Sequence, residues 1–115
     1  MTYKNTEYLS IKEIREQTGL TSRTLRYYEQ LDLLHPVARA DAGGYRLYSK
    51  NVFDTIGKIQ QYKDLGYELK EIKEILDNPD FDFKASLPAL IKRLADKRDE
   101  IDMQIQRATE FLSSK

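Results

Sequence analysis

The sequence predicts a mainly α-helical fold: a winged helix-turn-helix with a short β-hairpin wing, followed by one long C-terminal helix. Three observations predict it. The run T-S-R-T-L-R-Y-Y-E-Q-L, Thr21 to Leu31, contains no Gly or Pro and opens on a threonine whose hydroxyl can accept from the free N–H groups of a first helical turn. The next stretch has β-prone segments on either side of D-A-G-G at 41–44, where glycine supplies the positive φ of a hairpin connection. Beyond residue 85, Leu87, Leu94, Ile101 and Ala108 recur every seven residues, the period of a helix that buries one stripe against another helix.

At 115 residues the chain has room for one compact domain and one extended element. Three segments are expected: a winged helix-turn-helix domain at 1–76, a linker at 77–85 rich in Asp and Phe, and a dimerisation helix at 86–115. The absence of cysteine excludes disulfides, thiolate zinc sites, iron–sulfur clusters and cysteine nucleophiles. No apolar run suits a signal peptide or a membrane span, so a cytoplasmic protein without a membrane partner is expected. Net charge is zero, but the sign is uneven. Residues 21–50 hold five basic and three acidic side chains, whereas 77–115 hold seven basic and eight acidic.

In chain order, residues 1–9 read as a loose lead-in. Ser10-Ile11-Lys12-Glu13 fits a capping box, so a first helix starts there and carries Ile11 and Ile14 on its apolar face. Thr18-Gly19-Leu20 is the turn to a second helix from about Ser22, with Leu25 as its core contact. After the hairpin, Ser49 is placed to cap a third helix that runs at helical spacing from Val52 to Leu65 and ends at Gly66. Leu69, Ile72, Ile75 and Leu76 make the stripe of a fourth, stopped by Asn78-Pro79. The last helix is expected near Ser86, because Pro88 is best tolerated in a first turn. Its seam comprises Leu87, Leu90, Ile91, Leu94, Ile101, Ile105, Ala108 and Leu112. One small domain cannot cover so long a stripe, and a second copy of the chain is the economical partner.

The candidate site is the cationic, tyrosine-bearing surface of the second helix and the hairpin. Ser22 and Arg23, near the start of that helix, are placed to reach base edges in duplex DNA, while Arg26, Tyr27 and Tyr28 suit phosphate and sugar oxygens. Tyr45, Arg46 and Tyr48 on the wing are expected to grip the flanking backbone, and Arg39 also lies on the hairpin. Two such units on a two-fold axis would read a palindromic target. The plain alternatives are a solvated helix face and a structural hairpin with cross-strand aromatic packing. His35 has no second histidine or cysteine beside it and reads as a loop residue, and the paired carboxylates Asp80/Asp82 and Asp99/Glu100 read as solvated. No nucleophile, metal cluster, phosphate loop or cofactor site can be assembled, which excludes an enzyme. The other functions considered are an excisionase-like architectural DNA-binding factor and a protein-interaction dimerisation adaptor without DNA binding.

Taken together, Y-L-S-I-K-E-I, T-S-R-T-L-R-Y-Y-E, L-D-L-L-H-P, G-Y-R-L-Y-S and Q-Y-K-D-L-G-Y-E-L-K-E-I-K-E-I-L resemble the DNA-binding domain of the MerR family of bacterial transcription regulators. The later D-N-P-D-F-D-F-K-A-S-L resembles its TipA/Mta-like branch, so the resemblance covers nearly the whole chain. It implies a homodimer whose terminal helices form an antiparallel coiled coil, and third and fourth helices that extend the DNA contact through basic residues such as Lys63, with Lys58 a weaker candidate. It further implies a palindromic promoter operator that is bent and untwisted, with RNA polymerase at the same promoter. Metal-sensing members place cysteines around the dimer helix, and this chain has none; drug-sensing members carry an effector domain after it. The chain is expected to be the DNA-binding and dimerisation part of a longer regulator, the alternative being a short natural form without its own sensor, with no small-molecule site within these residues. Gly43-Gly44 departs from the single glycine of many relatives and bears on the wing tip.

Overall fold

The computed structural model describes residues 8–40 and 45–114. The elements are β1 (Tyr8–Ser10), α1 (Ile11–Thr18), α2 (Ser22–Gln30), β2 (Ala38–Ala40), β3 (Tyr45–Ser49), α3 (Asn51–Leu65), α4 (Leu69–Asp77) and α5 (Phe83–Ser113). They divide into two compact units, Met1–Pro79 and Asp80–Lys115.

Local chemistry sets the ends of the first helices where the sequence places them. The Ser10 hydroxyl accepts from the Glu13 amide at 3.3 Å while the Glu13 carboxylate accepts from the Ser10 N–H at 3.2 Å, closing a reciprocal capping box on α1. Gly19 ends α1 at φ 75°, in the left-handed region, and its N–H donates to the Arg15 carbonyl. Thr21 caps α2 by accepting from the Thr24 amide at 3.1 Å. That helix closes on Asp32, a non-glycine residue at φ 63°, which turns the chain so that the Leu33 N–H donates to the Tyr28 carbonyl at 2.9 Å.

The wing is larger than a hairpin. β1 and β2 both pair antiparallel with β3, giving the order β1-β3-β2, so the expected lead-in at residues 8 and 9 is a strand. Only β3 can align Leu9 opposite Tyr48, and such pairing across some forty residues leaves no local signature. The D-A-G-G turn and its Gly43-Gly44 pair lie outside the described residues.

α1 packs on α2, β1 and β3, and α3 packs on β3 and α4. Ile14, Leu25, Tyr28, Leu33, Leu34, Tyr48, Val52, Ile56, Ile59, Tyr67 and Ile72 are buried between these elements. The cap of α3 differs by one residue from expectation. Lys50 stands at the N-cap position without a side-chain bond, although the Ser49 hydroxyl still accepts from the Asn51 N–H at 3.3 Å. Gly66 ends α3 at φ 109°, and the Tyr62 and Tyr67 rings meet edge-on at 5.8 Å across that turn. Within α4, Lys73 bonds Asp77 and also approaches Asp32 at 3.4 Å; the Asp77 hydrogen bond, ahead of the Coulombic attraction, raises the ammonium pKa above its ordinary value.

α5 begins at Phe83, earlier than the expected Ser86. The Asp82 carboxylate accepts from the Ala85 N–H at 3.1 Å, which starts the helix three residues sooner. Pro88 thus stands at the sixth helical position, inside the helix. The Ser86 hydroxyl donates to the Phe83 carbonyl at 2.6 Å, within the first turn of the helix. With 31 residues α5 is roughly 46 Å long. No helix among the described residues is long and apolar enough to cross a membrane.

Candidate nucleic-acid interface

The helical period divides α2 into two stripes. Leu25, Tyr28 and Glu29, at i, i+3 and i+4, turn inward: Leu25 and Tyr28 are buried and the Glu29 side chain is only 12% exposed. Arg23, Arg26, Tyr27 and Gln30, at i, i+3, i+4 and i+7, turn outward. This outward stripe lines an open cleft of about 570 Å³, together with Thr24, the edge of Tyr28, Lys63 from α3 and Leu69 from α4. The fold therefore brings Arg23, Arg26, Tyr27 and Lys63 onto one surface, although forty residues separate Arg23 from Lys63 in sequence. Ser22 is half-buried at the first position of α2.

Two expected contacts move to the core. Tyr28 is 2% exposed and Tyr48 is 1% exposed, and the Tyr48 hydroxyl is buried without a hydrogen-bond partner among the described residues. Both rings pack in the core, although Tyr28 also borders the cleft that Arg23 and Arg26 line. Tyr28 follows Leu25 by three residues and falls on the inward stripe, while Tyr48 stands in the central strand opposite Leu9. Tyr45 opens β3 opposite Ala40, and Arg39 stands opposite Arg46 in the register; the side chains of Tyr45 and Arg39 lie outside the described residues.

Arg46 remains at the surface, and its position follows from strand alternation. Residues 46 and 48 share one face of β3, so Arg46 extends toward the helices from the edge of the buried region. Its guanidinium Nη1 donates to Glu29 Oε1 at 3.0 Å, tying the wing to α2. Arg26, Glu29, Gln30 and Arg46 line a second cleft of about 520 Å³. Glu29 and Gln30 escaped the sequence reading, although the spacing of Glu29 from Leu25 and of Gln30 from Arg23 could have found them. Leu69 carries no comparable local signal.

Lys58 lies elsewhere, on a cleft shared with Asp32, His35, Asp54, Lys73 and Asp77, where carboxylates surround it. His35 Nδ1 pairs with Asp32 Oδ1 at 2.9 Å, and no cluster of three or more potential metal ligands occurs among the described residues. On α5, Ile91, Leu94, Ile101, Ile105 and Leu112 are exposed, from 37% at Leu94 to 87% at Leu112, and Ala108 is exposed as well. Leu87 is half-buried and Leu90 is already buried in the single chain.

Comparison with known proteins fits this surface. Residues 9–79 match the MerR HTH family regulatory protein, and residues 54–113 match the MerR DNA-binding family. The chain is 40% identical over 104 residues to the HTH-type transcriptional activator mta of Bacillus subtilis, covering 90% of this chain and 40% of that protein. It is 37% identical over 78 residues to the HTH-type transcriptional activator TipA of Streptomyces coelicolor, covering 68% of this chain and 30% of that protein. The chain thus spans less than half the length of these relatives. Among solved structures, that of MtaN, the N-terminus of the Bacillus subtilis multidrug transporter activator, superposes with a TM-score of 0.79 at 40% identity, covering 92% of this chain and 99% of that one. Capped helix-turn-helix, wing and family matches agree that this chain belongs to the MerR helix-turn-helix family.

Proposed function

We propose that two copies of this chain pair through α5 in an antiparallel coiled coil and bind a palindromic promoter operator, which they bend and untwist. The observation that carries the reading is the joining of Arg23, Arg26, Tyr27 and Lys63 on one cleft, a surface of cations and an aromatic hydroxyl suited to phosphates and base edges. Ser22 and Arg23 reach base edges, Arg26, Tyr27 and Lys63 hold the backbone, and Arg46, with Tyr45, grips the flank. The unpartnered apolar stripe of α5 supports the pairing, because a stripe of that length needs a second helix to cover it. The working segments are a DNA-binding domain at 1–76, a linker at 77–85 and a dimerisation helix at 86–115.

A two-fold pair sets two α2 helices against half-sites roughly 34 Å, or a multiple of it, apart on one face of the duplex. Distortion of the intervening DNA costs on the order of 1–6 kcal/mol, which requires several rigid phosphate contacts on both sides of the centre. The purpose of that distortion is to bring promoter elements into phase for RNA polymerase. Mta and TipA are both named transcriptional activators, which favours activation as the outcome.

The test is selection of binding sites from a random duplex library, followed by measurement of bend angle on the selected site and of mass in solution. A dyad-symmetric, bent site bound by a dimer is expected. Straight DNA, or a monomer bound to an asymmetric site, would overturn the proposal.

A further inference from the structure

The ion pair between Glu29 and Arg46 assigns a role to a carboxylate that simple electrostatics would count against DNA binding. The Glu29 side chain is 12% exposed and that of Arg46 is 45% exposed, so the carboxylate lies inside and the guanidinium outside. Glu29 Oε2 is buried with no partner among the described residues, so the carboxylate is held on one oxygen only. A guanidinium offers five N–H donors in a planar fork, and this one uses Nη1 on Glu29. Arg46 lines a cleft with Arg26, Gln30 and Glu29.

We propose that Arg26, Gln30 and Arg46 form one phosphate seat bridging α2 and the wing, with Glu29 as the positioning residue that holds Arg46 in it. The inference rests on the reading of this chain as a duplex-binding protein. A phosphate entering from solvent meets the free edge of Arg46 without displacing Glu29, because the carboxylate is on the protein side of the guanidinium. The same pair locks the wing to α2, so the seat and the base-reading positions near Arg23 move as one body.

The proposal reverses a sign. Removing a negative charge from a DNA-facing surface should tighten binding through electrostatics alone. If Glu29 positions Arg46, Glu29→Ala instead weakens binding to a mixed-sequence DNA duplex by about tenfold, the effect of losing one charge-assisted hydrogen bond, and lowers the salt slope by about one. Arg46→Ala gives the same loss, and the double variant is no weaker than Arg46→Ala. Glu29→Gln, whose carbonyl can still accept from Nη1, restores most of the affinity. Glu29→Ala binding as tightly as the wild type, or more tightly, overturns the proposal.

Should Glu29→Ala fail to fold, Arg46→Lys replaces it. Lysine keeps the charge but is a single point and cannot hold a carboxylate and a phosphate in one plane. Wild-type affinity and slope in Arg46→Lys would then overturn it. A wild-type chain that binds no duplex even at low salt would instead sink the underlying DNA-binding function.

Discussion

Tyr27 and Tyr28 are neighbours in α2 that border one cationic cleft with very different burial: Tyr27 is 48% exposed, and Tyr28 is 2% exposed with its ring in the core. A rotation of about 100° per residue separates them. Their variants should therefore separate too. Tyr28→Ala is expected to cost about 3–5 kcal/mol of stability through the cavity it leaves, read by denaturant unfolding. Tyr27→Ala should leave stability within about 0.5 kcal/mol and weaken DNA binding. A destabilised Tyr27→Ala with unchanged affinity would contradict this division.

Arg23 and Lys63 share one cleft but come from different elements, α2 and α3. Lys63→Ala should weaken binding to all duplexes and reduce the salt slope by about one, as loss of a phosphate contact does. Arg23→Ala should in addition relax preference for the selected site by about 1–3 kcal/mol. Equal losses on selected and random DNA for both variants would undo the separate roles.

Ile101 is 53% exposed in the single chain and stands on the seven-residue repeat of α5. Replacing it by Asp puts a carboxylate in the middle of the proposed seam. Leaving a charge unpaired there costs about 3 kcal/mol or more, which raises the dimer dissociation constant more than about 100-fold. Sedimentation should show a monomer whose helical content is retained. An unchanged dimer would remove Ile101 from the interface.

Gly19 sits at φ 75° between α1 and α2, and a Cβ added there meets nothing within 4 Å. The expected penalty of Gly19→Ala is therefore that of the left-handed backbone alone, about 1–2 kcal/mol, or a fall in Tm of several degrees. Gly19→Asn should lose less, since asparagine tolerates that region. Equal stability of the glycine and alanine forms would show that the turn relaxes.

How much of this molecule was legible beforehand depended on the range of the interaction involved. The Ser10–Glu13 box, the Thr21 cap, and the left-handed Gly19 and Gly66 depend on groups within four residues of one another, so spacing alone predicts them. The wing strands were likewise marked by their β-prone residues around D-A-G-G. β1 was not, because three residues become a strand only when β3 supplies their partners. Asp82, as a cap, competed with the signal of Pro88 and prevailed, which moved the start of α5.

The sequence by itself determined where the helices turn, which family the chain resembles, and that Arg23, Arg26 and Lys63 are candidates for a DNA-binding surface. Only the tertiary structure decided that Tyr28 and Tyr48 belong to the core, that Lys63 joins Arg23 across forty residues, and that Arg46 is held by Glu29. The physical reason is that capping and helical period act within a turn or two of chain. Burial and ion pairing depend on which surfaces meet once separate elements pack, and residue type alone does not encode that choice.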